Sequence, residues 1–598
     1  MKRLLCLALL SSIAAGCAGT SRLGGAPPFV PAAEARHHVS AVDLRIRIPK
    51  NHRARFVSPA TQGMNVAIAG PTTVSKTVGL TPSSTGCTSS VTNTICEVTI
   101  ALKPCPTPAN CYTATIATYD AVSCGGSNCT IPPSANELSA AQSVAFNVKA
   151  GQTSALPLSL SGIPASIVVA PYTVFTLVDD NAVLGTPHLQ LVGLGQHLIG
   201  VQALDADGNV IVGAGSPTYS LAKTGGTLGV TIARAASNVF SVTPPSTYSA
   251  ASASLKVTAS FSGQPTNGCT QPGASCTASL TATMVPMLVA ADTTGGYGHG
   301  RINMFALGDA TELAVVTQGI DDPVALAIDG SGNLYVGNGA GESVVEYPAG
   351  STTASSKSFT LKPGGQNVTS LAVDSSNDLF VASFSTPVAA NSAINEFNAS
   401  GTNVFGATVT GVNGPVALAE DANKTLYVGN SGNKSVTEYN TGALSGAPAV
   451  TIVGFGSVNG IAVGAGASPE VYVADPLGSA VWRFPHGSNV SDGDLGPAQG
   501  LPNPNHIALD GLGNLYVSNQ TVATMQFPAT GAWPVSKTGS FGLYTADPTS
   551  IATDALNDLV TASPSNGYVD LWPPGSANGY PSMLFIDVST RVTVIVVP

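Results

Sequence analysis

The sequence contains few charged residues. Only 9% of its 598 residues are Asp, Glu, Lys or Arg, whereas roughly 25% is usual for soluble domains. Serine, threonine, glycine and asparagine take up much of the polar surface, as is common in secreted, cell-surface β-proteins. The net charge is −10 and no basic stripe occurs. The composition therefore excludes the electrostatic footprint of a nucleic-acid binder, and we expect no nucleic-acid partner.

Residues that carry out reactions are also scarce. There are eight histidines, and beyond residue 290 only His299, His486 and His506 occur. The sequence has no G-x-S-x-G, no H-E-x-x-H, no P-loop and no dinucleotide fingerprint. Carboxylates alone can perform acid–base chemistry. An enzyme therefore stays open as an alternative, with no catalytic residue assigned.

Long apolar runs are absent except at the N-terminus. Lys2 and Arg3 precede the apolar stretch 4–13, and small residues follow at 14–16. This order is typical of a signal peptide, here residues 1–16, and the apolar stretch is too short for a stable membrane span. The pattern predicts an exported chain.

Eight cysteines follow residue 17 and fall into couples that are close in the sequence. The predicted disulfides are Cys87–Cys96, Cys105–Cys111, Cys124–Cys129 and Cys269–Cys276. An even number of cysteines in local couples indicates an oxidising compartment. Zinc is the alternative interpretation, and only Cys124 and Cys129 approach the spacing of a zinc ligand pair.

The first half of the chain reads as a tether and two β-domains. Residues 17–39 are rich in Gly, Ala and Pro and predict a flexible tether. Residues 40–162 and 163–285 alternate apolar and polar positions between turn signals, which predicts two β-sandwiches. Within the second, Asp205, Asp207 and Asn209 match the start of a calcium loop, but the later ligands and the closing Glu are absent, so an Asp-Gly hairpin turn is the favoured interpretation.

The second half is built from one repeated segment. Its first strand ends at residues 329, 374, 421, 464, 510 and 554, in steps of 45, 47, 43, 46 and 44. A period near 45 with several strands per period predicts propeller blades. Each copy carries a small residue in its first strand and an aromatic at the end of its third. The alanines are Ala327, Ala372, Ala419, Ala462, Ala508 and Ala552, and the aromatics are Tyr347, Phe397, Tyr439, Phe484, Phe527 and Trp572.

The two ends of residues 286–598 supply the parts of one more blade. Segments 288–292, 301–305 and 312–317 match second, third and fourth strands, and 591–597 is a lone apolar strand. If they pair, they close the ring without an open edge. This predicts seven blades; the alternative is six blades with the ends as a cap.

Three resemblances accompany these patterns. The P-x-x-L-A-x-D, G-N-L-Y-V and V-x-E-Y segments at 323–347 resemble NHL-repeat propellers, a family that includes scaffolds, ligand sensors and enzymes. The segment 203–212 resembles bacterial Ig-like repeats. Residues 14–17 resemble the lipobox of bacterial lipoproteins, although Ala14 stands where that family has Leu or Val. The last resemblance implies lipidation of Cys17 and a membrane anchor; an ordinary secretory signal is the alternative.

Polar residues at the ends of the second strands form the candidate binding site. If the blades superpose, these side chains converge at one face and can bind a sugar, peptide or cation; as an alternative, they bond their own turns. The ring consists of Asp292, Asn338, Ser383, Asn430, Asp475, Asn519 and Ser563. Glu420 and His506 depart from the repeat on first strands, and Trp482 with Arg483 forms either a stacking patch or blade packing.

We therefore expect an all-β protein with two Ig-like sandwiches and a seven-bladed propeller. The expected function is non-catalytic binding of a protein, peptide or glycan. A metal-assisted lyase or lactonase is one alternative, and a structural envelope spacer is another. We predict no cofactor, although the resemblance to propeller enzymes leaves a divalent cation at the central channel open.

Overall fold

A computed structural model describes most of the chain. It covers residues 40–597 with gaps at 51–56, 127, 157–159, 180–186, 213–215, 261–275, 294–298, 309–311, 340–341, 387, 389–390, 405–408, 441–443, 445, 521, 529–530, 532, 542–547, 564–566, 577–581 and 586–591. The predicted signal peptide, the tether and Cys17 lie outside the described residues.

The described chain is all-β, in agreement with the sequence-based prediction. It contains antiparallel sheets and a short 3₁₀ turn at Pro497–Gln499. Over the same residues, no helix has the length and apolarity to cross a membrane.

Two sheets enclose the first core. The strands are β1 Ala41–Pro49, β2 Gly63–Ala69, β3 Val74–Gly79, β4 Cys87–Ser89, β5 Asn93–Ala101, β6 Tyr112–Tyr119, β7 Ser123–Gly125, β8 Asn128–Thr130, β9 Glu137–Phe146, β10 Thr153–Ala155 and β11 Ser161–Gly162. The sheets have the orders β10-β1-β5-β4 and β11-β9-β6-β2-β3, and β7 pairs β8 separately. Alternate residues such as Leu44, Ile46 and Val66 point into the shared core, because side chains along a strand alternate between its two faces.

A second pair of sheets follows. Its strands are β12 Ser166–Pro171, β13 Thr176–Asp179, β14 His188–Val192, β15 His197–Leu204, β16 Thr218–Gly226, β17 Thr231–Ala236, β18 Val239–Thr243, β19 Ser252–Ser260 and β20 Cys276–Val285. The orders are β12-β15-β18-β17 and β13-β14-β20-β19-β16. The Asp205 carboxylate accepts hydrogen bonds from the backbone N–H groups of Asp207 and Asn209. These bonds agree with the interpretation of this segment as a hairpin turn.

Seven further sheets make up the rest. We call them sheets 1 to 6 and the shared sheet. Their strands are β21 Met287–Asp292, β22 Arg301–Ala306, β23 Glu312–Val316 and β46 Val592–Val597 (shared); β24 Pro323–Ile328, β25 Leu334–Asn338 and β26 Ser343–Tyr347 (1); β27 Asn367–Val373, β28 Leu379–Phe384 and β29 Ser392–Phe397 (2); β30 Pro415–Glu420, β31 Thr425–Asn430, β32 Ser435–Asn440 and β33 Val450–Ile452 (3); β34 Gly460–Val463, β35 Val471–Asp475, β36 Ala480–Phe484 and β37 Gly493–Leu495 (4); β38 Pro504–Leu509, β39 Leu515–Asn519, β40 Thr524–Phe527 and β41 Gly539–Phe541 (5); β42 Ser550–Thr553, β43 Leu559–Ser563, β44 Tyr568–Trp572 and β45 Ser582–Phe585 (6).

The shared sheet joins the two ends of this region. β46 pairs with β21 over its whole length, from Met287 opposite Val597 to Asp292 opposite Val592. Each first strand contacts the first strand of the next sheet, and β46 contacts both β42 and β24. Hydroxyl groups bridge these strands: Thr593 donates to the carbonyl of Val324, 3.2 Å away. The contacts of the first strands therefore return to their starting point.

A recurring aspartate explains why each first strand turns into the second. Asp329 accepts bonds from the backbone N–H groups of Ser331 and Asn333, at 2.9 Å each, as an Asx turn does. Gly332 completes this turn at φ +83°, and a Cβ there would lie 2.6 Å from Leu194. This turn therefore also needs glycine because the second β-domain packs closely against it.

At the boundary predicted at residue 285, one strand follows another almost directly, and the apolar core continues across the boundary. β20 ends at Val285 and β21 begins at Met287. Leu194 and Met284 share a single apolar core with Val289 and Leu334. Burial of this surface favours a fixed arrangement of the second sheet pair on the seven sheets.

Three of the predicted disulfides are confirmed. Cys87–Cys96, Cys105–Cys111 and Cys124–Cys129 are bonded, so the zinc interpretation of Cys124 and Cys129 is wrong. Cys276 is also disulfide-bonded, whereas Cys269 lies outside the described residues. These bonds indicate an exported protein or another oxidising environment.

Candidate functional site

The polar residues at the second-strand ends are buried. The exposed fraction is 0 or 1% for all seven: Asp292, Asn338, Ser383, Asn430, Asp475, Asn519 and Ser563. These residues are the last ones of the second strands, so we call this end of the sheets the exit end. The loop from each preceding sheet also arrives there. The opposite end, with the recurring aspartates, is the Asp-turn end.

Most of these side chains hold the arriving loops. Asn338 accepts a bond from the backbone N–H of Asp321 at 3.0 Å and donates to the carbonyl of Gly319 at 2.9 Å. Asn430 accepts from the N–H of Asn413 at 2.8 Å, and Ser383 bonds Gln366 at 2.9 Å. A ligand at these three positions would have to replace bonds already made, so they serve the loops.

Asp475 is the most heavily used member of the ring. Its carboxylate accepts from the backbone N–H groups of Gly456, Ser457 and Gly478, at 2.7–2.8 Å. The Ser457 hydroxyl in turn accepts from the N–H of Leu477 at 3.1 Å. Hydrogen bonds to a charged group are stronger than neutral ones. This one side chain therefore fixes both the loop that leads from sheet 3 into sheet 4 and the turn between β35 and β36. We call the contact surface between two neighbouring sheets a seam.

The remaining ring members differ from one another. Asp292 forms an ion pair with Arg301 at 3.1 Å. Asn519 donates at 3.4 Å to the carbonyl of Ala523, but its Oδ1 atom has no partner, and neither has the Ser563 hydroxyl. The sequence placed seven equivalent groups here, whereas the structure uses them in different ways.

The structure does not bring Glu420 and His506 together. Glu420 is the last residue of β30, at the Asp-turn end, where it stands opposite Leu426. His506 lies near the start of β38, whose first residue stands opposite Asn519 at the exit end. Its backbone N–H donates to the Ser518 hydroxyl at 3.0 Å. These two residues, on strands two sheets apart, cannot form one acid–base pair.

The usual ligands of divalent metal ions are not grouped in the described residues. No group of three or more His, Cys, Asp or Glu side chains is placed to hold one there. The divalent cation considered at a central channel therefore has no such ligand set over the described part of the chain.

Sequence reasoning missed a network at the Asp-turn end of sheet 3. The Tyr427 hydroxyl lies 3.1 Å from Asp421 and 3.0 Å from Nδ1 of His486, which belongs to sheet 4. Glu438 stands opposite Tyr427 and is 2% exposed. Burial, and then the charge of Asp421, raises the pKa of Glu438 to about 7. The same facing pair occurs in one other copy, as Tyr335 and Glu346 of sheet 1, and this repetition was the signal that the sequence offered.

Arg483 and Trp482 belong to packing between sheets. The Arg483 guanidinium pairs with Glu470 at 3.3 Å and Asp492 at 2.5 Å, and it lies 4.7 Å from the ring centre of Trp533. Trp533 comes from the following sheet, so the guanidinium joins two sheets through a cation–π contact. Of the two interpretations given for Trp482 and Arg483, packing between neighbouring sheets is therefore the one that fits the position of Arg483.

Exposed aliphatic side chains occur on the loops that Asp475 holds. Val453 follows β33 and Leu477 lies in the turn after β35, both at the exit end, with exposed fractions of 70 and 78%. They flank the loop 454–457, where the carboxylate fixes the backbone of Gly456 and Ser457. Two apolar groups are thus held out to solvent on an ordered backbone.

Comparison with known proteins gives no family for this chain. No family model and no curated protein matches it. Among solved structures, it is similar to a functionally unknown protein from Desulfotomaculum acetoxidans, at 13% identity and TM-score 0.40, over 51% of this chain and 98% of that one. A second similarity is to a chain of a mitotic checkpoint complex, at 13% identity and TM-score 0.39, over 48% and 93%. With both TM-scores below 0.5, neither likeness assigns a function.

Proposed function

We propose that this chain is an exported binding protein in which two Ig-like sandwiches carry a seven-bladed, NHL-like β-propeller. The propeller is the binding module and its partner is a protein or peptide. The proposal does not involve catalysis, since it needs only a rigid scaffold that presents loops.

The packing of the seven sheets supports the propeller. Their first strands contact one another in a cycle that β46 completes by pairing with β21. A propeller needs such a pairing because it leaves no inner strand edge open at the junction of the chain ends. The third-strand aromatics Tyr347, Phe397 and Trp572 are buried, at 0–1% exposed, which fits side chains packed between neighbouring blades.

Val453 and Leu477 carry the binding proposal. Contacts at protein interfaces gain affinity when the groups that make them are fixed before binding, because less entropy is lost. The Asp475 carboxylate provides that fixing through bonds at 2.7–2.8 Å. An apolar pair on a fixed loop favours a protein or peptide surface over a glycan, whose hydroxyl groups need polar partners.

The test is affinity capture with the whole mature chain, because continuous packing joins the sheets to the second β-domain. Val453→Ser with Leu477→Ser is expected to reduce capture of the partner from an envelope extract by at least about tenfold, which corresponds to roughly 1.4 kcal/mol. The matched control is Leu512→Ser, since Leu512 is 68% exposed in a turn at the opposite end. The control is expected to capture normally.

Two outcomes would contradict the proposal. Equal capture by the double variant and the control would remove the exit-end loops as the binding surface. Failure of the unaltered chain to capture any partner would favour the envelope spacer.

We also propose that Cys17 is lipidated and anchors the chain to a membrane. The lipobox resemblance of residues 14–17 and the disulfides of the exported part support this. Cys17→Ser is expected to move the protein from the membrane fraction to the soluble fraction, with loss of the lipid mass from its N-terminal peptide. Unchanged partitioning of Cys17→Ser would show that the chain is held, if at all, by something else.

A further inference from the structure

The seam between sheets 5 and 6 differs from the other seams. In each sheet, the second and third strands place one residue pair at the same level, facing the next sheet. The pairs are Gly337/Val344, Ala382/Ile394, Gly429/Val436, Ala474/Val481, Ala562/Val569 and, in the shared sheet, Ala291/Ile302. Six pairs thus combine a small residue with an aliphatic one. In sheet 5 alone the corresponding residues are hydroxylic: Ser518 and Thr524 come next on β39 and β40 after the pair Val517/Met525.

Sheet 6 also has polar residues on the face that it turns toward sheet 5. The pair Thr561/Asp570 stands one step along its strands. Sheets 1, 4 and 5 have the apolar pairs Val336/Val345, Val473/Trp482 and Val517/Met525 at this position. Sheets 2 and 3 and the shared sheet have one neutral polar residue each, in the pairs Val381/Asn395, Val428/Thr437 and Ala290/Asn303. A carboxylate occurs at this position in no other of the seven sheets. Ser563 lies two residues beyond Thr561 and so shares its face.

Packing at the seam brings the two polar groups to one level. Tyr516 and Phe541 of sheet 5 share a core with Leu559 and Trp572 of sheet 6, and the rings of Phe541 and Trp572 are 5.5 Å apart. Two residues further along each strand, toward the exit end, lie Ser518 and Thr524 of sheet 5 and Thr561 and Asp570 of sheet 6. Because every second residue of a strand lies on the same face, these four residues face the same seam. The seam is therefore apolar in its middle and polar toward that end.

These polar groups are buried and largely unused. Ser518, Thr524, Thr561, Ser563 and Asp570 are 0–1% exposed. Thr524 Oγ1, Ser563 Oγ and both oxygens of Asp570 have no hydrogen-bond partner. Ser518 accepts a bond from the N–H of His506, and Thr561 accepts one from the indole of Trp572; each hydroxyl oxygen has a second lone pair besides. A buried charge without a partner is strongly unfavourable.

We propose that this cluster is a binding site for one monovalent alkali cation, held between sheets 5 and 6 by Asp570, Thr524 and Ser563. The ligands are hard oxygen atoms, which suit hard cations. A single carboxylate supplies one negative charge, so one positive charge neutralises the site. Desolvation is the only cause that raises the pKa of Asp570, to about 6, so no side-chain cation neutralises it. The proposal is independent of the partner-binding function.

The test compares thermal unfolding of the full mature chain in chloride salts at the same 0.1 M ionic strength. Sodium or potassium chloride is expected to raise the midpoint by at least about 3 °C relative to tetramethylammonium chloride, whose cation is too large for the seam. Thr524→Val introduces the residue that sheets 1, 3, 4 and 6 have at this position, and it is expected to fold. Both Thr524→Val and Asp570→Asn are expected to lose at least half of the shift.

Asp558→Asn is the matched control. Asp558 is another buried carboxylate of sheet 6, but it lies in the Asp-turn, where sheets 1 and 5 have Asn333 and Asn514. It is expected to keep the whole cation shift. An equal midpoint of the unaltered chain in all three salts would overturn the proposal and leave water as the occupant. Loss of the shift in Asp558→Asn, or its retention in both Thr524→Val and Asp570→Asn, would overturn it as well.

A direct measurement is a crystal soaked in rubidium chloride. An anomalous peak between Asp570 and Thr524 is expected. Its absence after a soak at saturating rubidium concentration would count against the site.

Discussion

Val592→Asp is expected to destabilise the protein by about 4 kcal/mol or more, because it places a charge inside the shared sheet, which joins the two ends of residues 286–598. Val592 is 1% exposed and packs with Leu288 and Val560. It stands directly opposite Asp292, so the new carboxylate would also face a like charge across the strands. Denaturant unfolding of the full chain measures the effect.

The control for this substitution is Val315→Asp, on β23 of the same sheet. Val315 is 44% exposed, so its replacement is expected to change the free energy of unfolding by less than about 0.5 kcal/mol. Because β46 is the only described strand that covers the inner edge of β21, a loss of below 1 kcal/mol for Val592→Asp would be incompatible with its pairing there.

Glu438→Gln is expected to stabilise the protein by about 2 kcal/mol at pH 8 and to have little effect near pH 5. The pKa of the carboxyl is about 7 in the folded chain and near 4.5 when unfolded, so at pH 8 the folded state keeps a buried charge. Asp421 and Tyr427 face it, and His486 contacts both of these groups. Glutamine keeps the shape of the side chain and removes the charge.

The sign of the pH dependence follows from the same pKa. Between about pH 4.5 and 7 the folded state binds more protons at Glu438 than the unfolded state, so stability rises as the pH falls through 7. Glu396, whose pKa burial also raises to about 7, acts in the same direction. His197 opposes them below pH 6.5, because burial lowers its pKa to about 4. In the window from pH 8 to 6.5 the two glutamates therefore act without this opposition from His197.

Unfolding midpoints of the unaltered chain and of Glu438→Gln, measured across that window, check this prediction. The unaltered chain is expected to gain stability as the pH falls, and the variant to gain less. Glu312→Gln serves as the control because Glu312 is exposed; it is expected to follow the unaltered chain. A variant less stable than the unaltered chain at pH 8 would mean that Glu438 makes a stabilising contact as an anion.

The local structure of this protein could be read from its sequence, because local structure depends on neighbouring residues. Alternation of side chains predicted the strands. The first-strand ends predicted at residue 329 and its repeats coincide with turns, since an Asx turn, as at Asp329, needs only a carboxylate and two nearby amides. Three disulfides followed from short spacings, and the partner of the last strand followed from a missing first strand at the other end.

Only the tertiary structure decided how the side chains are used. Asn338 and Asp475 looked alike as ring members, but the use of their polar atoms depends on loops some twenty residues away. Glu420 and His506 were separated by the direction of their strands. Glu438 and Asp570 became unusual only once neighbouring sheets excluded water from them, because burial depends on packing between segments distant in sequence. The repeat determined the framework, and packing across the seams determined where charge is buried without a partner.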